Sequence, residues 1–269
     1  MIGAISGDVI SSVHEGAPPM AKNFPLFVPG SRFTDDTVLT VAVASAIRKG
    51  VEFGASIRQW GRRYPHAGYG GWFRDWLFRK DPAPYNSFGN GSAMRVAAIG
   101  WAFDDLDVVL REATKSAEVT HNHPEGIKGA QAVAAAILVA RNGQSKVQIG
   151  ALLSDRFGYD CTTELSVLQR RGEFDVTCQG TIPAAAVAFL QSTDFEDAVR
   201  NAVSFGGDAD TLACIAGAIA EAHFGGVPAE IQAEVFRRLD DPLRVEVIAF
   251  ARQYGVPLTH DLNTGEAER

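Results

Sequence analysis

The sequence predicts an all-α, single-domain protein. Apolar residues recur at helical spacing in segments of about 10 to 18 residues. Convincing alternating strands are absent, and Gly-Pro punctuation falls between the segments rather than inside them. The run Val38, Leu39, Ala42, Val43, Ala46, Ile47 marks one helix, ending near Gly50. Ile127, Ala130, Val133, Ala134, Ile137 and Leu138 mark another, whose alanines allow close helix–helix approach. Ala213, Ala216, Gly217, Ala220 and Ala222 give a third a similarly small profile. Further helices are expected over 54–63, 72–80, 91–102, 105–119, 145–157, 162–170, 182–191, 195–204, 228–239 and 241–254. No internal repeat and no Ser/Pro/Gly linker divides the chain, so residues 1–258 read as one domain and 259–269 as a polar, frayed tail.

With 269 residues, 46% hydrophobic and 21% charged, the chain has ample material for a core. A net charge of −7 argues against nonspecific binding to nucleic acid or anionic membranes, since both would repel it. The start, Met1 to Asp8, lacks a basic leader and is interrupted by an aspartate, so it does not read as a signal peptide. No uncharged apolar run reaches membrane-spanning length. Cys161, Cys178 and Cys214 are scattered and read as reduced, buried thiols of a cytoplasmic protein.

Two short acidic turns carry the chemistry. Thr34-Asp35-Asp36 and Asp208-Ala209-Asp210-Thr211 each place two carboxylates beside a threonine, and each runs straight into an apolar helix. Alone, either turn is an ordinary helix N-cap. Brought together, they would face four carboxylates and two hydroxyls toward one another. Like charges about 4 Å apart repel by roughly 4 kcal/mol at an effective dielectric near 20, so such a cluster stays ionised and dry only with bound cations. All-oxygen donors select Mg²⁺, Mn²⁺ or Ca²⁺ over zinc, because no cysteine or paired histidine joins the set. In Thr120-His121-Asn122-His123-Pro124, alternation aims only one histidine inward, which argues against a metal role there. The aromatic stripe Tyr69, Trp72, Phe73, Trp76, Leu77 reads as core.

Four segments, in order, resemble the ADP-ribosylglycohydrolase family. They are Gly7-Asp8 followed by Glu15, Phe33-Thr34-Asp35-Asp36-Thr37, Ser87-Phe88-Gly89-Asn90-Gly91-Ser92-Ala93-Met94-Arg95, and Phe205-Gly206-Gly207-Asp208-Ala209-Asp210-Thr211. The resemblance runs from the first residues to about Gly226. Ser11 stands where the family often has glycine, and Ser92 replaces a glycine found in some relatives.

The resemblance implies an orthogonal multi-helix bundle around a central dinuclear site holding two Mg²⁺ or Mn²⁺ ions. Thr34, Asp35 and Asp36 would ligate from one side, and Asp208, Asp210 and Thr211 from the other. Glu15 would be the acid–base or water-orienting catalytic group, while Asp8 is expected to orient neighbouring backbone rather than bind metal. Ser87, Phe88, Gly89, Asn90, Gly91, Ser92 and His121 would bind substrate. Gly89 and Gly91 would let backbone N–H groups approach a diphosphate, and Phe88 would stack on adenine, worth about 1–3 kcal/mol. Met94 and Arg95 are expected to be scaffold, and His123 a cap or surface residue.

The implied activity is hydrolysis of the glycosidic bond between ADP-ribose and an acceptor, the partner being an ADP-ribosylated protein or a small ADP-ribosyl substrate. The alternative is a noncatalytic ADP-ribose-binding or structural relative. A haloacid-dehalogenase-type phosphatase, suggested by Asp208-x-Asp210, lacks the strand context that motif needs.

Overall fold

The first element is one that hydropathy spacing did not mark. In α1 (Ile2–Ser11) every residue is buried. It therefore has no polar face to betray its period. Gly3 and Gly7 let it lie directly on a partner: a β-carbon at Gly7 would fall on the Ala213 carbonyl, and one at Gly3 on the Gly217 carbonyl. These coordinates are a computed structural model that describes residues 1–259. Thr259 is included, and the rest of the expected polar tail, 260–269, lies outside the described residues.

α2 (Asp35–Lys49) begins where the Thr34 hydroxyl accepts from the Asp36 amide at 3.3 Å, and it ends at a left-handed Gly50. α3 (Phe53–Arg63) and α4 (Gly71–Phe78) follow. The single helix expected over 91–102 is two, α5 (Gly91–Met94) and α6 (Ala97–Ala102). The break falls at Arg95, whose side chain is wholly buried and bonded to the Ser116 carbonyl at 2.6 Å. α7 (Leu106–Glu118) and α8 (Pro124–Arg141) agree closely with expectation, the latter capped by His123, whose ring accepts from the Glu125 amide.

The 145–157 segment is a short α9 (Lys146–Ala151) continued as a π-helical turn, Leu152–Arg156. α10 (Leu165–Arg171) precedes α11 (Cys178–Leu190), which starts earlier than expected. Thr177 caps it by accepting from the Gly180 amide, and Pro183 sits inside the helix rather than opening it. α12 (Phe195–Ser204), α13 (Ala209–Phe224), α14 (Ala229–Arg238) and α15 (Asp241–Tyr254) complete the described chain. Among the described residues there is no strand, only an isolated bridge between Gly89 and Thr177.

α13 is the central element, packed against α1, α8, α11 and α12. Its Ala and Gly residues keep these neighbours close. α2 packs on α3, α6 and α15. Because α1 touches both α2 and α13, it sets the N-termini of those two helices, and hence the two acidic turns, side by side. No helix of the described residues is long and apolar enough to cross a membrane. Cys178 and Cys214 are buried as free thiols, whereas Cys161, expected to be buried, is only half-buried.

Candidate functional site

The site is built on Asp8, in the middle of α1. One of its carboxylate oxygens accepts from the Thr34 hydroxyl at 2.6 Å. The other accepts from the Thr34 amide at 2.9 Å, the Thr37 amide at 3.1 Å and the Thr37 hydroxyl at 2.5 Å. A wholly buried carboxylate thus pins the first turn of α2, matching the orienting role read from the sequence. An Asp8 oxygen also lies in a group with oxygens of Asp36 and Asp210, all within 4.8 Å of one another, a set that could hold a metal ion, against the expectation that Asp8 would not.

The two acidic turns meet. Thr211 Oγ1 approaches Asp36 Oδ2 at 3.4 Å across the interface of α13 and α2. Asp208 is held from a third direction, its Oδ2 accepting from the Asn90 amide at 2.5 Å. Thr181 accepts from the same amide group at 2.9 Å. Asn90, expected among substrate contacts, is therefore turned into the acidic cluster.

Glu15 arrives from the loop after α1. Its carboxylate lies within 4.8 Å of those of Asp208 and Asp210 while the residue as a whole stays exposed. Two backbone hydrogen bonds place that loop. The Gly16 amide donates to the Gly207 carbonyl at 2.7 Å, and the Gly207 amide to the Ala17 carbonyl at 3.0 Å. Gly206 and Gly207 both have positive φ, 70° and 64°. A β-carbon at Gly206 would stand 2.5 Å from the Ala17 carbonyl oxygen. Only glycine fits this turn against the Glu15 loop.

Electrostatically the cluster is a concentration of acid. Burial, followed by the charge of Asp210, pushes Asp35, Asp36 and Asp208 well above the ordinary aspartate range. Asp35 is half-buried as a residue, but its carboxyl is enclosed. Glu15 is raised mainly by the neighbouring Asp210 charge and then by burial, with Arg32 opposing. One oxygen, Asp36 Oδ1, is buried without any partner. An orphaned carboxylate oxygen among hard-oxygen donors is what a divalent cation such as Mg²⁺ or Mn²⁺ would satisfy, and the residues present fit that group.

A cavity of about 290 Å³ opens beside the cluster, with Asp35, Trp72, Tyr85, Ser87, Gly91 and His121 in its wall. Ser87 shapes the glycine-rich loop, its Oγ accepting from the Gly89 amide at 3.1 Å. Ser92 is wholly buried and donates to the Gly126 carbonyl at 2.8 Å, so its side chain supports the loop from behind rather than facing a ligand. Phe88 is 45% exposed and lies against the His123 ring, 5.3 Å between centroids, outside the cavity wall.

Trp72 departs from the core reading of its stripe. Tyr69, Phe73, Trp76 and Leu77 are buried, but Trp72 is 71% exposed at the cavity, edge-on to Tyr85. Its position at the start of α4, one turn ahead of Trp76, was the available signal. Of the two histidines, His121 is buried in the cavity wall and His123 caps α8. Asn122 accepts from the Asn86 backbone amide at 2.7 Å.

Fold and site define a class: an all-helical protein whose two acidic turns meet beside a cavity. The sequence matches the ADP-ribosylglycohydrolase family over residues 1–259, and the chain belongs to that family of glycosidic-bond hydrolases. It is 26% identical to ADP-ribosylhydrolase ARH3 of Bos taurus, over 84% of each chain. It is 24% identical to ADP-ribosylarginine hydrolase Tri1 of Pseudomonas putida, over 86% of this chain and 71% of that one. Among solved structures, a chain described as an ADP-ribosylglycohydrolase-related protein complex superposes with a TM-score of 0.71 at 26% identity, covering 96% of this chain and 97% of that one.

Proposed function

We propose that this chain cleaves the glycosidic bond between ADP-ribose and an acceptor, a protein side chain or a related ADP-ribosyl group, at a dinuclear Mg²⁺ or Mn²⁺ site. Thr34, Asp35 and Asp36 hold the ions from one side, and Asp208, Asp210 and Thr211 from the other. The observation that carries this reading is the meeting of the two acidic turns with Glu15, beside a cavity whose wall includes Asp35. When bound, the ions supply positive charge that holds the distal ribose hydroxyls and makes nearby water more acidic.

The chain's own residues do the rest. Glu15, with its raised pKa and partial exposure, takes the proton of the attacking water or exchanges one with the leaving group. As the bond to the acceptor lengthens, positive charge grows on the ribose, and the nearby carboxylates stabilise it. Asn90 holds Asp208, and Asp8 holds the Thr34 turn, so neither turn has to reorganise during the reaction. The diphosphate lies along Ser87, Gly89 and Gly91, beside His121.

A panel of ADP-ribosylated peptides, nucleic acids and small ADP-ribosyl metabolites, assayed with Mg²⁺ and with Mn²⁺, tests the proposal by release of free acceptor. Tight ADP-ribose binding with no release on any member would favour a noncatalytic binder instead.

The aromatic wall adds a narrower expectation. Trp72→Ala should weaken ADP-ribose by about 1–3 kcal/mol, the worth of one stacked base, and leave ribose binding unchanged. Phe88→Ala should have the smaller effect, since its ring stands outside the cavity wall. Calorimetric titration of both variants decides between them, and the reverse order would return adenine to Phe88.

A further inference from the structure

In the cavity wall lies a hydrogen-bond chain that the mechanism above uses only at its His121 end. Arg95 is wholly buried. Its Nη2 donates to the Ser116 carbonyl at 2.6 Å and to Thr120 Oγ1 at 3.1 Å, while its Nε and Nη1 have no partner. Thr120 is also wholly buried, and its Oγ1 lies 2.6 Å from Nδ1 of His121.

Donors and acceptors can be counted along this chain. A guanidinium only donates, so Thr120 Oγ1 accepts from Arg95. Buried, the Thr120 hydroxyl also needs an acceptor for its own proton, and His121 Nδ1, 2.6 Å away, is the one its hydrogen bonds supply. The one proton of the Thr120 hydroxyl then goes to His121 Nδ1. With Nδ1 accepting, a neutral ring must carry its own proton on Nε2. Burial and the Arg95 charge favour that neutral ring, holding the His121 pKa well below the ordinary histidine value. Nε2 faces the glycine loop, 3.2 Å from where a β-carbon on Gly91 would stand and 3.6 Å from that on Gly89.

We propose that Arg95 and Thr120 are positioning residues that lock His121 as its Nε2–H tautomer, a fixed donor aimed at a diphosphate oxygen lying on the Gly89–Gly91 loop. This rests on the ADP-ribose reading of the site. It gives Arg95 a second task beyond scaffold. The guanidinium sets the direction of every proton in the chain, and its positive charge lies beneath the place where an anion would sit. A ring in the other tautomer would present a lone pair to that anion and repel it.

Imidazole ¹⁵N NMR of the wild-type protein, with and without ADP-ribose, is the direct test. The expected spectrum has an unprotonated Nδ1 and a protonated Nε2 on His121, with the Nε2 resonance shifting when ADP-ribose binds. Thr120→Val should remove the donor to Nδ1, change the tautomer signature and weaken ADP-ribose about tenfold or more, the size of one charge-assisted hydrogen bond. Thr120→Ser keeps the hydroxyl and should restore both. A wild-type ring protonated on Nδ1 would overturn the proposal without recourse to any variant. So would a Thr120→Val protein with unchanged affinity. If the wild-type tautomer is as expected but ADP-ribose does not bind at all, the ligand assignment of the cavity fails rather than the proton chain.

Discussion

Stripped of divalent cations, the protein is expected to lose turnover to background and to melt at a lower temperature, by an amount that grows with pH. Asp8, Glu15, Asp35, Asp36, Asp208 and Asp210 crowd one region, and Asp36 Oδ1 is buried with nothing to bond. The sign of the pH effect follows from the raised values of Asp35, Asp36 and Asp208. A carboxyl whose folded pKa lies above its unfolded value favours folding most below that unfolded value, 3.8 for aspartate, and loses the benefit as pH rises through the folded value. The cation-free protein therefore has to fold against its own negative charge at neutral pH. Bound cations displace the protons and remove that cost. At a hundred times its dissociation constant one ion adds about 2.7 kcal/mol, roughly 5 °C for a chain of this size. Melting curves with EDTA and with excess Mg²⁺ or Mn²⁺, taken from about pH 5 to pH 8, are the measurement. Superimposable curves across that range would remove the cation site from the proposal.

Glu15→Gln is expected to cut turnover by about 10²- to 10⁴-fold, the usual contribution of a positioned proton-transfer group, while ADP-ribose affinity is retained. The amide keeps the shape of the side chain and its place over Asp208 and Asp210 but cannot exchange the proton. Removing one charge from the cluster should also relieve Asp210, whose field is the main cause of the raised Glu15 pKa. The variant is therefore expected to melt no lower than wild type in the absence of cation. Asp36→Asn is the contrasting change, expected to weaken cation binding and turnover together. Steady-state kinetics beside calorimetric ADP-ribose titration separates the two. Wild-type turnover in Glu15→Gln would show that another group moves the proton.

How much of this was legible depended on what each residue spends its chemistry on. The acidic turns could be read because a Thr-Asp-Asp or Asp-x-Asp-Thr cap before an apolar run is a local pattern, and their pairing came from the resemblance to the ADP-ribosylglycohydrolase family. Helices with one wet face, such as α7 and α12, declared their period. α1 did not, because a helix buried on all sides offers no alternation, and its glycines count against helix by propensity. Within the glycine-rich loop, the sequence could not separate side chains facing a ligand from those facing the protein. Asn90 and Ser92 turn inward to Asp208 and Gly126 because those partners arrive from α13 and α8, remote in sequence. Trp72 was hidden differently. Its stripe is mostly core, and only the end of α4 shows which aromatic runs out of neighbours.

The loop that carries Glu15 has a consequence for variation along the chain. Gly16 and Ala17 are fastened to Gly207, and Met20 donates to the Ser204 carbonyl at 3.1 Å. Arg32, at the far end of the excursion, donates its amide to the Ser12 hydroxyl at 3.1 Å. Both ends are thus stapled to the helical frame before the segment between them begins. The Glu15 carboxylate takes its register from the Gly206-Gly207 turn, across the molecule. The stretch between Lys22 and Gly30 is anchored too: Phe24 is buried with its ring 5.1 Å from that of His14, and its carbonyl accepts from Arg200, so a substitution at Phe24 is expected to reach the Glu15 loop.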